Sequence, residues 1–172
     1  MSIMPSESWL ALQVVPQHEK KVALMLECKG YENFLPTFLS PRRWSDRVKI
    51  IEQPLFPGYV FCRVKKESIG LLGAIPGVSR IVGFGGKPAY IPDGEINAVA
   101  RAVKSGLEVC PFSPFARIGQ QVQVKSGPLS GVVGRLLRIN NRNRLILAVE
   151  VALKAIAIDI DASDVAPLEF AQ

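Results

Sequence analysis

The stretch EQPLFPGYVFCRV, residues 52–64, decides how the first part of the chain is interpreted. Two prolines and a glycine interrupt a strand-like apolar run, and Tyr59 and Phe61 follow two positions apart. In a strand, this spacing places both rings on one face. That face is either part of a core, which strand statistics favour, or a surface for a partner.

Composition indicates a folded protein with an anionic partner. The 172 residues are 48% hydrophobic, enough for one good core or two small ones. The formal charge is +6 and the pI about 9.4. A basic balance favours nucleic acid or an acidic protein surface as the partner.

The cysteines and the N-terminus indicate the compartment. Cys28, Cys62 and Cys110 are odd in number and widely spaced, so they predict neither a disulfide framework nor a zinc site. The N-terminus lacks the pattern of a secretory signal, and no apolar run is long enough to span a bilayer. We therefore expect a cytoplasmic protein that does not enter a membrane.

The first part of the chain alternates strand and helix patterns. Residues 9–15 read as a buried strand, and residues 17–32 as an amphipathic helix. A hairpin follows, with a long basic tip at residues 40–49, and then a short helix, a strand bent by glycines and a helix that starts at Asp93. This order predicts an α+β sandwich of helices on a mainly antiparallel sheet.

A change of pattern predicts a second domain. Pro111 and Pro114 lie in a segment without periodicity, which indicates a linker at residues 107–116. Four short β-rich runs follow, the pattern of a small β-barrel. We predict a first domain at residues 1–106 and a second at residues 117–172.

The residue inventory does not favour an enzyme. His18 is the only histidine and has no nucleophile near it in sequence. The glycine-rich GFGGK of residues 83–87 lacks the spacing of a phosphate-binding loop. Asp159 and Asp161 alternate on one strand face without the further ligands that a metal requires. We expect no enzymatic activity, no cofactor and no metal.

Two basic clusters are candidates for nucleic-acid binding. Lys20 and Lys21 begin the first helix. At the hairpin tip Trp44 is surrounded by four cationic residues, namely Arg42, Arg43, Arg47 and Lys49. Cations bind phosphates, and an indole ring can stack on a base. The alternative is a charged loop that serves solubility.

Several local patterns together resemble one family. In order, these are HEKKVA (residues 18–23), FLP (34–36), RRWSDR (42–47), PLFPGYVF (54–61), IPGVSRIVGFGGKPAYIP (75–92) and VKSGPLSGVVGRLLRI (124–139). They are similar, over nearly the whole chain, to the NusG family of transcription elongation factors. The similarity is greatest to its specialised UpxY-like antitermination branch.

The resemblance implies an N-terminal NGN domain, an α/β sandwich, followed by a five-stranded KOW barrel. It implies a monomeric antitermination or elongation factor that binds the β′ clamp helices of RNA polymerase and reduces pausing or termination. A dedicated polysaccharide operon is the implied target of such a specialised member. The polymerase-facing positions correspond to Pro57, Tyr59, Phe61 and Val99. Ser68, Ile69 and Gly70 occupy the region through which relatives contact the β-subunit gate loop.

The resemblance also implies further partner sites. His18, Lys20 and Lys21 match the helix start that specialised members turn towards non-template DNA, and Arg42, Arg43 and Arg47 extend this basic surface. In the KOW domain, Ala152 and Leu153 fall where housekeeping members have a Phe-Gly pair that binds a small-subunit ribosomal protein or the Rho factor. With Lys154, they are the expected KOW partner site.

Two alternatives stay open at this stage. A KOW barrel also occurs in RNA- or ribosome-binding proteins, which makes that the rival function. In addition, RLILAVEVALKAIAI, residues 144–158, fits both a strand period and a helix period, and a specialised relative refolds this domain as a helical hairpin. We expect the β form, with Tyr59 and Phe61 left uncovered.

Overall fold

The computed structural model describes residues 6–112, 119–139 and 141–168. The chain divides into two compact units, Met1–Asp93 and Gly94–Gln172. In the parts of the chain that the structure describes, no helix is long and apolar enough to cross a membrane.

The first unit is built on an antiparallel sheet in the order β2-β5-β1-β6, and β9 also pairs with β1. Its strands are β1 Glu7–Val14, β2 Glu32–Phe34, β3 Thr37–Arg43, β4 Val48–Pro54, β5 Tyr59–Lys65, β6 Val78–Ile81, β7 Gly83–Phe84, β8 Lys87–Pro88 and β9 Tyr90–Ile91. Its helices are α1 Glu19–Cys28 and α2 Ile69–Leu72, the latter preceded by a 3-10 turn. The predicted strand-helix opening and the short helix after β5 are confirmed.

One hydrophobic cluster of this unit lies on one face of the sheet. Alternate residues of β1, namely Leu10, Leu12 and Val14, point to this face and are buried. Val22 and Leu26 of α1 join the same cluster, because residues four apart lie on one side of a helix. Past the end of α1, Gly30 adopts a φ of 80°. Glycine is suited to this left-handed conformation.

The hairpin of β3 and β4, here called the ribbon, is longer than predicted. Its ladder runs from Thr37 opposite Pro54 to Arg43 opposite Val48. The turn at the end is closed by the Trp44 amide, which donates to the Arg47 carbonyl at 2.8 Å. The predicted tip at residues 40–49 is therefore wrong, because most of those polar residues belong to the strands. Pro41 does not end β3, because proline is tolerated on an edge strand.

The second unit contains α3, which begins at the boundary between the units, and a six-stranded antiparallel sheet. Its elements are α3 Asp93–Lys104, β10 Val109–Phe112, β11 Gln120–Val124, β12 Val133–Ile139, β13 Arg142–Val149, β14 Lys154–Asp159 and β15 Val165–Pro167. The strand order is β10-β14-β13-β12-β11-β15, and we call this the C-terminal sheet. The mixed α+β class is confirmed, whereas closure into a KOW barrel stays a prediction.

The predicted linker is partly a strand. Val109–Phe112 form β10, which pairs with β14 at one end of the C-terminal sheet. Pro111 misled the sequence interpretation, since a proline is compatible with an edge strand, where one side of the strand needs no ladder partner. The rest of the predicted linker, residues 113–116, lies outside the described residues.

The segment with two possible periods adopts the β form. Residues 144–158 fall in β13, a short 3-10 turn and β14, and the two strands pair from Arg144 opposite Asp159 to Val149 opposite Lys154. Leu145, Leu147 and Val149 are buried along β13. The strand interpretation is therefore confirmed for this conformation.

Apart from its first residue, helix α3 belongs to the same compact unit as the C-terminal sheet. The sequence pattern had predicted it as part of the first domain. Arg101 Nη2 donates to the carbonyls of Pro128 at 3.1 Å and Ser130 at 2.7 Å. Glu95 Oε2 accepts from the Glu150 amide at 3.3 Å. Burial raises the pKa of Glu95, and that hydrogen bond opposes the rise. The domain limits 1–106 and 117–172 stay predictions.

Candidate functional surfaces

The central feature of the first unit is the turn Phe56-Pro57-Gly58-Tyr59, here called the PGY turn. The Tyr59 amide donates to the Phe56 carbonyl at 3.0 Å. Pro57 occupies the second position and Gly58 the third, with a φ of 83°. These are the features of a type II turn, in which the third residue requires a positive φ. No atom lies within 4 Å of a Cβ built on Gly58, so backbone conformation rather than space selects glycine there.

A buried carboxylate holds the PGY turn. Glu19 Oε1 accepts from the Gly58 amide at 2.8 Å, and the Val14 amide donates to the Gly58 carbonyl at 2.8 Å. Glu19 is only 6% exposed and is the one buried charged residue among those the structure describes. A charged acceptor makes a stronger hydrogen bond than a neutral one. The turn is therefore fixed to both β1 and the start of α1.

Sequence reasoning missed Glu19. An acidic residue in the first turn of a helix is common, because it interacts favourably with the helix dipole, so its presence did not stand out. The usable signal was the combination of this carboxylate with Pro-Gly, since a type II turn leaves the glycine amide in need of an acceptor.

The two aromatic residues of β5 have different environments. Tyr59 is half-buried and lies opposite Gln13. Phe61 has no exposure and packs edge-on against Phe56, with ring centroids 5.3 Å apart, and at 6.4 Å from Phe34. Phe61 is therefore enclosed within the first unit, and the expectation that the C-terminal domain leaves Tyr59 and Phe61 uncovered stays a prediction. Because β5 pairs with β1 and β2, its side chains are central to the unit.

The four predicted polymerase-facing residues thus differ in accessibility. Pro57 is exposed and Tyr59 half-buried, whereas Phe61 is buried and Val99 on α3 is 1% exposed. Of these four residues, Pro57 and Tyr59 of the PGY turn are the ones whose side chains are accessible to a partner. Of the predicted gate-loop region, Ser68 and Ile69 are half-buried and Gly70 is exposed where α2 begins.

The basic residues at the start of α1 lie near the base of the ribbon. His18 and Lys21 are exposed. Lys20 Nζ lies 2.7 Å from Glu52 Oε2, and Thr37 Oγ1 donates to Glu52 Oε1 at 2.7 Å. The pKa of Glu52 is lowered, mainly by the hydrogen bond from Lys20. The hydrogen bond from Thr37 and the positive charge of Lys20 lower it further. These contacts tie the ribbon base to α1.

The ribbon tip presents the aromatic-cationic cluster. Trp44 is 59% exposed, and residues 43–48 line a shallow concavity of about 580 Å³. Arg43 and Arg47 are both exposed here. Arg42 is also exposed, and the Gln53 amide oxygen, in its hydrogen-bonding orientation, accepts from Arg42 Nη2 at 2.7 Å. An accessible indole between guanidinium groups can stack on a base while the cations contact phosphates.

The predicted KOW partner site is the turn between β13 and β14. Ala152 is buried, whereas Leu153 is 60% exposed and Lys154 is exposed. Leu153 has a φ of 51° and a ψ of 40°, the left-handed conformation, and its amide donates to the Glu150 carbonyl at 3.0 Å. This conformation is unfavourable for leucine and suits glycine. Periodicity did not indicate this conformation, because a strand-rich run does not reveal a turn of this kind.

Groups that the sequence considered for chemistry have structural roles. Asp159 pairs with Arg142 and Arg144 at 3.1 Å each. Asp161 accepts from the Ser163 amide and hydroxyl, which lowers its pKa. All three cysteines are free. Burial raises the pKa of Cys62 to about 12, with a further contribution from the Glu32 charge. The described residues contain no group of three or more side chains suited to a metal ion.

Comparison with known proteins places these surfaces in context. Residues 7–100 match the family model for transcription termination factor nusG. The transcription termination/antitermination protein NusG of Vibrio vulnificus is 26% identical over 98% of this chain and its own full length. The protein of that name from Thermus thermophilus is 25% identical over 93% of this chain and 98% of its own. A solved structure, on domain interaction in Thermotoga maritima NusG, has a TM-score of 0.54 at 20% identity, covering 95% of this chain and 98% of that one.

Proposed function

Because the chain belongs to the NusG family of transcription termination factors, we propose that it is a non-enzymatic antitermination and elongation factor. It binds RNA polymerase at the β′ clamp helices and reduces pausing or termination. The observation that carries this proposal is the PGY turn, which offers Pro57 and Tyr59 on a rigid support made by Glu19 and β1.

Preorganisation of the PGY turn supports polymerase binding. Tyrosine is frequent at interface hot spots, because it buries a large apolar area while its hydroxyl can stay hydrogen-bonded. A rigid turn loses little conformational freedom on binding. Phe61 supports β5 from within the core, so it contributes by position in this conformation. The same holds for Val99, whose side chain is buried.

The nucleic-acid contact is the second part of the proposal. His18, Lys20 and Lys21 begin α1, and Glu52 ties the ribbon to that same helix start. Arg42, Arg43 and Arg47 lie towards the ribbon tip around the exposed Trp44. Stacking and phosphate contacts of this kind suit unpaired non-template DNA in the transcription bubble.

The more specific parts of the proposal concern the setting. We place the chain in the UpxY-like branch, acting in the cytoplasm as a monomer on a dedicated polysaccharide operon. Ser68, Ile69 and Gly70 are then the region nearest the β gate loop. Ala152, Leu153 and Lys154 form the surface for a small-subunit ribosomal protein or Rho. A gene position directly upstream of a glycan-synthesis operon would support the operon assignment.

Substitution of Tyr59 tests the polymerase contact. Tyr59→Ala should weaken binding to purified RNA polymerase about 5- to 150-fold, the range of a typical interface hot spot. Phe84→Ala is the matched control, because Phe84 is an exposed aromatic residue of the same unit, 69% exposed. If a folded Tyr59→Ala variant and the control bind polymerase with equal affinity, Tyr59 has only a structural role.

The rival function is an RNA- or ribosome-binding module. It would use the basic residues of the C-terminal sheet, but Arg142 and Arg144 are paired with Asp159, and Arg135 Nη1 donates to the Gly119 carbonyl at 3.2 Å. These contacts favour a structural use of the arginines. Crosslinks to RNA that map to this sheet, in the absence of any polymerase binding, would favour the rival.

A further inference from the structure

The ribbon separates its side chains onto two faces. It pairs with no other strand within the described parts of the chain. Since alternate residues share a face and ladder partners lie side by side, the register assigns each residue. The basal pair, Thr37 and Pro54, is left aside. Above it one face, here called the outer face, carries Leu39, Pro41, Arg43, Val48, Ile50 and Glu52. The other, the inner face, carries Phe38, Ser40, Arg42, Lys49, Ile51 and Gln53.

Burial differs sharply between the two faces. On the inner face four residues are half-buried, namely Phe38, Ser40, Ile51 and Gln53, so this face packs on the protein near its base. Every residue of the outer face is exposed. Leu39 is 70% exposed, Ile50 66% and Val48 61%. A single exposed aliphatic residue is ordinary, but three on one face of one ribbon indicate an interaction surface.

Contacts at its base attach the ribbon to the first unit and so orient the outer face. An isolated two-stranded hairpin is marginally stable in water. Here the Glu52 carboxylate joins the ribbon to Lys20 of α1 at 2.7 Å, and it also accepts from Thr37 within the ribbon at 2.7 Å. The only acidic residue of the outer face is therefore already paired. The remaining charge on this face is Arg43, and Arg47 lies in the adjoining turn.

We propose that the outer face docks on a protein surface of the transcription complex, one that offers apolar side chains bordered by carboxylates. This inference rests on the proposed function, because it takes polymerase as the owner of that surface. Aliphatic side chains neither stack on bases nor pair with phosphates, so a nucleic acid would gain little from Leu39, Val48 and Ile50. Arg43 belongs to the last ladder pair, where the outer face meets the tip, so its guanidinium can complement the acidic border as well as serve the nucleic-acid contact.

Position-specific crosslinking tests the orientation. The full chain is made with p-benzoylphenylalanine at position 50 on the outer face or position 49 on the inner face. Each protein is then irradiated in an elongation complex assembled from purified polymerase. Position 50 should crosslink to a polymerase subunit and position 49 should not. Crosslinks from position 50 to DNA, to RNA or to a second copy of this chain would overturn the inference, as would their absence in a complex that forms.

A double substitution tests the energetic contribution. Leu39→Thr with Ile50→Thr keeps residues that favour strands but removes apolar surface. We expect about tenfold weaker binding to the elongation complex, with an unchanged circular dichroism spectrum. Phe84→Thr is the control, as an equally exposed residue of another strand, and should bind like the unmodified chain. If the double variant binds as the control does, the outer face is not a docking surface. Failure of the unmodified chain to bind polymerase would overturn both this inference and the proposed function.

Discussion

Removal of the Glu19 carboxylate should destabilise the first unit and loosen the PGY turn. The Glu19–Gly58 hydrogen bond is 2.8 Å long and its acceptor residue only 6% exposed, so solvent screens it little. A buried hydrogen bond to a charged group contributes about 1.5–3 kcal/mol to the free energy of unfolding. We expect Glu19→Ala to cost about 2 kcal/mol. Glu19→Gln keeps a neutral acceptor and should cost about 1 kcal/mol.

The assay is urea unfolding followed by fluorescence. The two tryptophans are Trp9, 6% exposed in β1, and Trp44, 59% exposed at the ribbon tip. In a Trp44→Phe background the signal therefore reports Trp9 and the first unit. With an m value of about 1–1.5 kcal/mol/M for a unit of this size, a loss of about 2 kcal/mol lowers the urea midpoint by roughly 1.3–2 M.

The matched control is Glu27→Ala, on the same helix. Glu27 is exposed, so this substitution should change the unfolding free energy by less than about 0.5 kcal/mol. Amide hydrogen exchange adds a local readout, since the Gly58 amide should lose protection in Glu19→Ala at zero urea. Equal costs for Glu19→Ala and Glu27→Ala, with Gly58 still protected, would refute the role assigned to Glu19.

Two further predictions concern Leu153 and Cys62. Leu153→Gly should raise the melting temperature of the C-terminal sheet by about 2–4 °C, because relief of the left-handed conformation outweighs the added entropy of the unfolded chain. Leu153→Val should lower it, and calorimetry showing a loss for both would contradict the strain argument. For Cys62, the folded-state pKa of about 12 lies above the ordinary 9.0, so its contribution to stability is complete below pH 9 and is lost as the pH rises through 12. The free energy of unfolding, measured from pH 8 to pH 12, should decline more steeply in the unmodified chain than in Cys62→Ala. At pH 8 iodoacetamide should modify the exposed Cys28 and leave Cys62 intact unless urea is added; rapid native labelling of Cys62 would be incompatible with its burial.

Periodicity predicted the elements whose cause is local. The spacing of Val22 and Leu26 identified α1, and the nearly continuous apolar run of residues 9–15 identified a buried strand. Proline and glycine were less informative, because their effect depends on the neighbours. Pro111 indicated a linker but lies in an edge strand, and the polar residues of the predicted ribbon tip continue its ladder.

The candidate sites could be predicted in identity but not in exposure. Strand alternation correctly put Tyr59 and Phe61 on one face, yet Phe61 is enclosed by Phe34 and Phe56, which come from other segments of the chain. Burial by distant segments leaves no trace in a local period. The same reason hid the bond from Glu19 to Gly58, since it joins residues far apart in sequence.

The ribbon also contains a segment that can be replaced without disturbing its strands. Its last ladder pair is Arg43 and Val48, so residues 44–47 lie beyond every constraint of register. Replacing or lengthening these four residues changes what the tip can recognise and leaves both faces as they are. A deletion of one residue within either strand has the opposite effect, because it moves each following side chain to the other face. Relatives can therefore diversify their recognition sequence at the tip, and a designed tip can be grafted there, while the strands below are held to one length.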